Sequence, residues 1–356
     1  MNKISIIGAG NGGQAIAGYC ASLGMSVCLY NRTHSDSFKK IRENGKINLI
    51  GQINTVGSIA LFSSDIKEAC EFSDLIFIVT PADSHKSLAH KIAPFITSDH
   101  IVLLNPGRTL GSLEFERELT RHTDITPNIG EAQTLVYACR AIEPGVVNVI
   151  GVKDRVPVAC SPNSNINRIL ETIKPIYPSF EKGKSLLEVG LDNIGSIFHP
   201  SVVLFNAATI EREESFYFYR DMTPQIASVI EELDKERIAV GKAYGIDLMS
   251  VTEWIKYAYP STEGDDLCQR MRNNPAYHDI KAPGSIFTRQ LTEDIPTGLV
   301  PISELGHKAG VPTPIMDSII TIISTLLNVD FRKNGRTLSN LGLKNVSSKE
   351  IVTLLK

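Results

Sequence analysis

Short apolar runs, most of them followed by glycine or proline, recur through the first half of the chain. Each run predicts a buried strand of a parallel sheet, because both faces of such a strand are covered. The runs are KISII (3–7), SVCLY (26–30), LIFIV (75–79) and IVLLN (101–105). Between the first two, residues 14–23 have helix-compatible composition and Gly24 follows as a stop signal. Strands alternating with helical stretches predict a doubly wound α/β sheet.

The second half of the chain changes to helical patterns. Thr223-Pro224 and Thr313-Pro314 each place an N-cap residue before a proline at the first helical position. The first pair is expected to open a helix that runs to about Tyr244. The second precedes IMDSIITIISTLLN, whose apolar residues fill most of a helix surface, and Leu248 to Tyr257 forms a third helical stretch. Strands hardly appear, so we expect a separate all-helical domain.

The length and the charge of the chain narrow the class of protein. With 356 residues, two domains are favoured over one, and we place them at residues 1–184 and 185–356. The formal net charge of −3 argues against a nucleic-acid-binding face. The glycines near the start leave no room for the apolar run of a signal peptide, and no apolar run is long enough for a membrane span.

The cysteines are scattered and none forms a CxxC pair, which argues against a zinc site and leads us to expect no bound metal. We expect the cysteines to be small hydrophobic core residues of a reduced, cytoplasmic protein. The cysteines are Cys20, Cys28, Cys70, Cys139, Cys160 and Cys268.

A glycine-rich loop, GAGNGG, follows the first predicted strand and precedes the first predicted helix. Gly8, Gly10 and Gly13 match GxGxxG, with Asn11 and Gly12 completing the loop. Glycine allows the tight turn, lets the backbone approach a pyrophosphate, and packs helix against strand. The helix N-terminus then offers unpaired N–H groups to the phosphates. In this context a dinucleotide site is favoured over a glycine-rich turn without a ligand.

The end of the second predicted strand bears on the choice of cofactor. An NAD site usually has an acidic residue there, whereas this strand ends in Asn31-Arg32-Thr33. No carboxylate would repel a 2′-phosphate, and the Arg32 guanidinium could bind one. NADP(H) is therefore the predicted cofactor and NAD(H) the alternative, in which Arg32 stacks on adenine. Thr80 follows the third predicted strand and is placed near the nicotinamide by fold geometry alone.

His199-Pro200 stands within a mostly apolar stretch of the second half. Proline biases the preceding residue away from helical geometry, which predicts that a helix begins here with the imidazole at its mouth. Imidazole can donate or accept a proton near neutral pH, as a reaction at a C=O or C=N carbon requires. The alternative is a histidine packed beside a helix start.

A second group of polar residues lies at 289–294. Arg289 and Glu293 stand four residues apart, and on a helix they would form an ion pair worth about 0.3–0.5 kcal/mol. In the functional alternative, Arg289 anchors a substrate carboxylate and an acid of the Glu293-Asp294 pair orients His199. The residues by themselves leave both open.

Taken together, the motifs resemble those of the opine dehydrogenases, particularly the octopine and nopaline synthase-like group. The shared order extends over most of the chain. The matching stretches are GAGNGG (8–13), NPGRT (105–109), EAQTLVYACR (131–140), Asn193 with His199-Pro200, RQLTEDIPTGLVPI (289–302) and GRTLSNLGL (336–344).

The resemblance implies a Rossmann-type domain joined to an all-helical domain, with the active site between them. It implies NAD(P)H-dependent reductive condensation of a 2-oxo acid, pyruvate or 2-oxoglutarate, with the amino group of an amino acid. By motif, the catalytic acid/base is His199 paired with Asp294, and Arg289 binds the oxo acid. Asn193 either hydrogen-bonds substrate or braces its loop, by analogy alone.

Two other readings of the same residues stay open at this point. One is a two-domain reductase of a 2-oxo acid or sugar phosphate that uses no amine, although such enzymes often carry an acid/base lysine that is not obvious here. The other is an NADP(H)-sensing protein without catalysis, which would need no acid/base group. The apolar C-terminal helix is compatible with a homodimer contact and equally with a buried core helix.

Overall fold

The predicted strands of the first half are present, with further strands between and after them. The structure is a computed structural model that describes residues 2–356. Its strands are β1 (Lys3–Ile7), β2 (Ser26–Tyr30), β3 (Lys46–Gly51), β4 (Thr55–Ser58), β5 (Leu61–Ser63), β6 (Leu75–Ile78), β7 (Ile101–Leu104), β8 (Asn128–Ala132), β9 (Tyr137–Glu143), β10 (Val146–Val152), β11 (Val156–Cys160) and β12 (Phe180–Lys182).

The helices between and after these strands complete the first part of the chain. They are α1 (Asn11–Ser22), α2 (Asp36–Asn44), α3 (Ile66–Phe72), α4 (His85–Ile92), α5 (Gly111–Leu119), α6 (Ile166–Ile173) and α7 (Leu186–Leu191).

The larger sheet has the doubly wound order. Its strands lie side by side as β5-β2-β1-β6-β7-β8-β11-β12, and all neighbours are parallel except β8 and β11. Ile6 of β1 packs into a core with α1 and α6, whereas Ile7 packs into a second core with α3, α4 and α5. Helices on both faces explain why these strands are apolar without alternation. The chain reverses direction across the sheet between β1 and β6, where such folds bind nucleotides.

A second, smaller sheet was not predicted. It has the order β4-β3-β10-β9 and packs against α1. The close approach depends on two glycines: a Cβ on Gly57 would lie 2.2 Å from the carbonyl oxygen of Gly18, and a Cβ on Gly18 would lie 2.9 Å from Ile47. β3 pairs with β4, and β9 with β10, as antiparallel sequence neighbours. The parallel pairing of β3 with β10, which joins Asn48 to Val146, is long-range, and no local pattern predicts it.

The chain divides into two compact units, Met1–Val189 and Gly190–Lys356. The boundary at residue 184, read from the sequence, stays a prediction. Within the described part of the second unit, extended pairing is confined to an isolated bridge between Tyr217 and Lys281. Its helices are α8 (Ile194–Phe205), α9 (Ala207–Glu211), α10 (Pro224–Ala243), α11 (Val251–Ala258), α12 (Leu267–Asn273), α13 (Arg289–Thr292), α14 (Val300–Ala309), α15 (Pro314–Leu327), α16 (Phe331–Asn334) and α17 (Ser348–Leu354). Over residues 2–356, no helix is both long and apolar enough to span a membrane.

The two threonine-proline pairs start helices α10 and α15 as predicted, but by different means. Thr223 Oγ1 accepts from the backbone N–H of Ile226, a side-chain N-cap. Thr313 makes no such bond. Instead the carboxylate of Glu236, on α10, accepts from the N–H groups of Ile315 and Met316 at 2.7 and 2.9 Å. A local sequence motif cannot predict a capping residue that comes from a distant helix.

The predicted helix start at His199-Pro200 is wrong. Helix α8 begins at Ile194, after Asn193, and Pro200 lies inside it. An interior proline lacks the N–H that the carbonyl of Ser196 would accept, at a cost of about 3 kcal/mol. The apolar residues of α8 are buried on either side of the proline, and their packing outweighs the local preference. The imidazole of His199 therefore projects from the middle of a helix and not from its mouth.

Candidate functional site

The glycine-rich loop of the first unit has the geometry of a phosphate cradle. Gly8 adopts a φ of +114°, and a Cβ there would lie 2.5 Å from the carbonyl oxygen of Val79. A Cβ on Gly13 would lie 1.7 Å from the carbonyl oxygen of Gly8, so α1 packs directly on the loop. Gly10 precedes α1 and has nothing within 4 Å of its would-be Cβ. A ligand can therefore approach the helix N-terminus at Gly10, where the backbone N–H groups favour an anion.

The two other loop residues are held by neighbouring elements. Asn11 Oδ1 accepts from the N–H of Ala141, on β9, at 3.1 Å. A Cβ on Gly12 would lie 2.8 Å from Leu135. The small sheet and the loop after β8 thus fix the position of the cradle. The residues fit a dinucleotide, because side chains are absent where the backbone must approach a phosphate.

The candidate residues for the adenosine end follow β2. The Asn31 side chain donates to the carbonyl of Thr33 at 2.8 Å and so holds the turn. Arg32, within that turn, is exposed. Thr80 follows β6, accepts a hydrogen bond from Ser84 at 2.7 Å, and places its methyl group 2.9 Å from where a Cβ of Gly8 would be. Thr80 thus lies beside the glycine loop at the point where the sheet reverses its order.

The second unit brings His199 and Asp294 together across 95 residues of sequence. Nδ1 of His199 lies 2.7 Å from Oδ2 of Asp294. The Asp294 side chain is 2% exposed and that of His199 is 18% exposed. A carboxylate can only accept, so Nδ1 carries the proton and the second ring nitrogen, Nε2, is the one available for acid/base chemistry.

The elements around the pair explain its position. His199 lies on α8, and Asp294 directly precedes a π-helical turn, Ile295–Leu299, that joins α13 to α14. A Cβ on Gly298, in that turn, would lie 2.3 Å from the Cβ of Ser196, so the π turn and α8 touch backbone to side chain. π-helical turns inside helices are rare and frequently occur at functional sites.

Sequence reasoning missed Tyr219, which contacts the His199 ring nitrogen that faces away from Asp294. Its hydroxyl lies 3.0 Å from Nε2 of His199. The ring of Tyr219 stacks on Tyr277 at 4.4 Å and packs edge-on against Phe218 at 4.8 Å. The aromatic-rich stretch SFYFYR, residues 215–220, was a signal, but without the fold nothing connects it to a histidine twenty residues earlier.

Arg289 pairs with Glu293 and not with the His199–Asp294 pair. Its Nη1 lies 3.6 Å from Oε2 of Glu293; the arginine side chain is 63% exposed and the glutamate only 3%. The predicted i,i+4 ion pair is therefore present, but with one end buried. An exposed, loosely paired guanidinium keeps donors for another carboxylate, so the functional alternative also stays open.

Asn193 is buried at the start of α8. Its side chain is close to the π turn: the Nδ2 atom lies 3.0 Å from where a Cβ of Gly298 would be. Its carbonyl accepts from the hydroxyl of Ser196 at 2.8 Å. These contacts fit the bracing role, and they link the element that carries His199 to the element that follows Asp294.

Comparisons with known proteins match both halves of the chain. Residues 182–327 match the family model for the alpha-helical domain of NAD/NADP octopine/nopaline dehydrogenase. Residues 3–107 match the model for the N-terminus of NAD-dependent glycerol-3-phosphate dehydrogenase. The opine dehydrogenase of Arthrobacter sp. (strain 1C) is 37% identical over 349 residues, which cover 98% of this chain and 97% of that protein.

Solved structures share the fold. Octopine dehydrogenase with NADH and L-arginine matches with a TM-score of 0.81 at 21% identity, covering 99% of this chain and 98% of that one. Yersinopine dehydrogenase with NADP⁺ bound matches with a TM-score of 0.73 at 13% identity, covering 99% and 97%. The predicted combination of a Rossmann-type unit and a helical unit is confirmed, as is the predicted family resemblance.

Proposed function

The chain belongs to the opine dehydrogenase family, and from that premise we propose which of its residues carry out the reaction. It is an NAD(P)-dependent oxidoreductase that condenses a 2-oxo acid with the amino group of an amino acid and reduces the product, releasing water. His199 and Asp294 are the acid/base pair. The observation that carries the assignment is the 2.7 Å contact between Nδ1 and Oδ2 inside a largely buried setting.

In the first unit, the glycine loop binds the dinucleotide. The N–H groups at the start of α1 face the pyrophosphate where Gly10 leaves open space, and Thr80 borders the same loop. Gly8, Gly12 and Gly13 shape the cradle, and Asn11 ties it to β9. The reduced nicotinamide, when bound, supplies the hydride for the imine carbon.

The cofactor preference we propose is NADP(H) over NAD(H). The turn after β2 carries the exposed Arg32 and offers no acidic side chain at residues 31–33. A guanidinium there can form two parallel hydrogen bonds with a 2′-phosphate. Asn31 and Thr33 shape the turn through their mutual hydrogen bond and so aim the arginine.

In the second unit, His199 moves the proton. Amine addition to the oxo acid gives a carbinolamine, and Nε2 donates a proton to its hydroxyl, which leaves as water. Asp294 stabilises the imidazolium in the proton-donating state and holds the ring in one orientation. In the opposite direction Nε2 takes a proton from the attacking water. The same pair therefore serves synthesis and breakdown.

Tyr219 is compatible with both protonation states of the histidine. When Nε2 is unprotonated, the Tyr219 hydroxyl donates to it; when Nε2 is protonated, the hydroxyl oxygen accepts. We propose that Tyr219 is a positioning residue that holds the ring until the substrate hydroxyl takes its place. Its stacking on Tyr277 keeps the hydroxyl in register with the imidazole.

Arg289 is the residue we assign to the 2-oxo acid carboxylate. Its side chain is mostly exposed, and its contact with Glu293 is long at 3.6 Å, so substrate can recruit its donors at little cost. Glu293 then orients the guanidinium.

Asn193 braces α8 against the π turn, and we propose that it also donates a hydrogen bond to the substrate.

Pyruvate and 2-oxoglutarate are the oxo acids we propose. Phe218 and Tyr219 pack against the imidazole, and Tyr277 and Tyr259 extend the aromatic cluster behind them. This cluster supports an amino acid whose side chain can pack on rings. Both apolar and cationic side chains can do so, so the panel below includes both.

A cytoplasmic location and a homodimer complete the proposal. All six cysteines are free thiols, and burial raises the pKa of Cys20, Cys28 and Cys70 to about 12, as suits core residues of a protein in a reducing compartment.

Helix α15 supports the homodimer contact. It is buried on one side, but Ile322 and Leu326, one turn apart, are 51% and 38% exposed. Light scattering on the wild type and on Ile322→Lys tests that contact: a wild type that is already monomeric refutes the homodimer.

The test of the function is NADPH and NADH oxidation by the purified enzyme. The mixtures contain pyruvate or 2-oxoglutarate, with and without apolar and cationic amino acids. We expect oxidation only when an oxo acid and an amino acid are both present, because the hydride acceptor is the imine. Mass spectrometry then identifies the secondary-amine product.

Two other outcomes would redirect the assignment. Oxidation with the oxo acid alone would make the protein a simple reductase. Tight NADPH binding without oxidation across the panel would favour a sensing role. A sensor would also bind NADPH and respond to it unchanged after His199→Ala, whereas the enzyme loses turnover.

A further inference from the structure

Three metal-ligating side chains converge on the first unit, outside the glycine loop. His90 lies on α4, Glu118 on α5, and His122 just after α5. Nδ1 of His90 is 2.8 Å from Nε2 of His122, which is 3.2 Å from Oε1 of Glu118. One ligand atom from each residue lies within 4.8 Å of the other two.

We propose that His90, Glu118 and His122 bind one late first-row divalent cation, with Zn²⁺ as the representative ion. Two imidazoles and one carboxylate are a donor set that such ions prefer, whereas Mg²⁺ and Ca²⁺ prefer oxygen ligands. Ligands about 2.0–2.1 Å from a tetrahedral zinc are about 3.3 Å apart. The observed separations of 2.8 and 3.2 Å are shorter than that value by about 0.5 and 0.1 Å. Water would supply the fourth ligand.

The helices that carry His90 and Glu118 are packed into one buried core. Leu88, Ala89 and Ile92 of α4 and Phe115 and Leu119 of α5 are buried in one core under the sheet. His90 and Glu118 therefore project from two helices that pack on a common core, and His122 lies in the turn that follows the second helix. The site is also reachable, because His90 and His122 are exposed and the Glu118 side chain is 11% exposed.

Arg121 affects the affinity of the site for a cation. Its Nη1 donates to Oε2 of Glu118 at 2.7 Å, which leaves Oε1 facing His122. This contact orients the carboxylate, but the positive charge also competes with a cation for it. We therefore expect micromolar binding, and tighter binding when the arginine charge is removed.

The bound ion would act as a clip between the ends of α4 and α5. It would stabilise the first unit by mass action, because the unfolded chain lacks the preformed ligand set. The clip involves none of the residues assigned to the reaction, so its presence is measurable without an activity assay.

The experiment uses untagged full-length protein that has been treated with a chelator and dialysed. Co²⁺ is titrated by visible absorption, Zn²⁺ by competition with a chromophoric chelator, and Mg²⁺ is the control ion. We expect one equivalent of Co²⁺ or Zn²⁺ with a raised Tm, and no effect of Mg²⁺. Absence of Zn²⁺ and Co²⁺ binding to the wild type would refute the site.

Variants locate the ion. His122→Asn and His90→Asn should weaken Zn²⁺ at least about tenfold, whereas Arg121→Gln should tighten it. The matched control is His307→Asn, whose Nε2 lies 2.9 Å from Asp317 without a second histidine, and it should bind like the wild type. Unchanged binding in His122→Asn, or an equal loss in His307→Asn, would place the ion elsewhere.

Discussion

The glycine loop and the His199–Asp294 pair differ in how the sequence specifies them. The loop is six consecutive residues whose function depends on missing side chains: a Cβ on Gly13 would lie 1.7 Å from a carbonyl oxygen. The pair depends on two side chains that are 95 residues apart and meet at 2.7 Å. The loop is therefore encoded locally, while the pair exists only once the second unit has folded. Substitutions should expose this difference.

The largest effect is expected at the pair. His199→Ala and Asp294→Asn should each lower kcat by about 10²–10⁴, because proton transfer loses its donor or its orienting carboxylate. Binding of NADPH, measured by fluorescence titration, should change little. The matched control is His278→Ala, which removes an exposed histidine 2.9 Å from Asp279 and should keep full activity. A kcat within twofold of the wild type for both pair variants would overturn the assignment.

In the glycine loop, the effect of a substitution depends on which glycine is replaced. Replacing Gly13 should lower the stability of the protein, whereas replacing Gly10 should weaken dinucleotide binding. Gly13→Ala forces a steric overlap with Gly8 and should lower the free energy of unfolding by about 3 kcal/mol, measured with denaturant. Gly10→Ala has open space and an extended backbone, so it should fold normally and weaken only dinucleotide binding. Normal dinucleotide binding by Gly10→Ala would show that the pyrophosphate does not approach this backbone.

Arg32 tests whether an exposed side chain adds specificity to the backbone cradle. Arg32→Glu should weaken NADPH by about 10–100-fold, since a charge-assisted contact worth about 1.5–3 kcal/mol is replaced by repulsion, and should affect NADH far less. Lys40→Glu, an exposed charge reversal on α2, is the control. Equal losses for the two dinucleotides would remove the 2′-phosphate argument.

The smallest effect is expected at Tyr219. Tyr219→Phe keeps the rings that stack on Tyr277 but removes one hydrogen bond to Nε2, so kcat should fall about two- to tenfold. Because the hydroxyl donates to the neutral imidazole but accepts from the charged imidazolium, the two protonation states lose unequal hydrogen bonds, so the pH profile of kcat should shift while KM stays nearly constant. Tyr257→Phe, at an exposed tyrosine, is the control. An unchanged pH profile would reduce Tyr219 to a packing residue.

Elements with a local cause could be predicted. The central strands are mostly apolar because both faces are buried, and their bounds agree with the predicted runs to within one residue. Helix α10 begins at Pro224 because Thr223 caps it within three residues. The four-strand sheet on α1 could not be predicted in the same way, since it depends on pairing between distant segments and on close contact at Gly18 and Gly57.

Competing local and tertiary preferences explain the failures. Proline after His199 correctly indicates a cost to helical geometry, but the buried apolar residues of α8 outweigh that cost and the helix continues through it. Thr313 has the residue type of an N-cap, but its helix is capped by Glu236 from another helix. In the first case the deciding energy comes from the burial of α8, and in the second from hydrogen bonds to a carboxylate about 80 residues earlier in the chain.

The sequence by itself determined the alternation of central strands with helices in the first unit and the glycine cradle, because neighbouring positions specify both. It indicated His199 and Asp294 as an acid/base pair only through the resemblance of their motifs to a family. Only the tertiary structure decided that Nδ1 of His199 faces Asp294 and that Tyr219 contacts the opposite ring nitrogen. For Arg289 and Glu293, whose spacing already predicted an ion pair, it decided only that the glutamate is buried. These contacts join segments up to 95 residues apart. Side-chain proximity across such distances is a property of packing, and no local spacing encodes it.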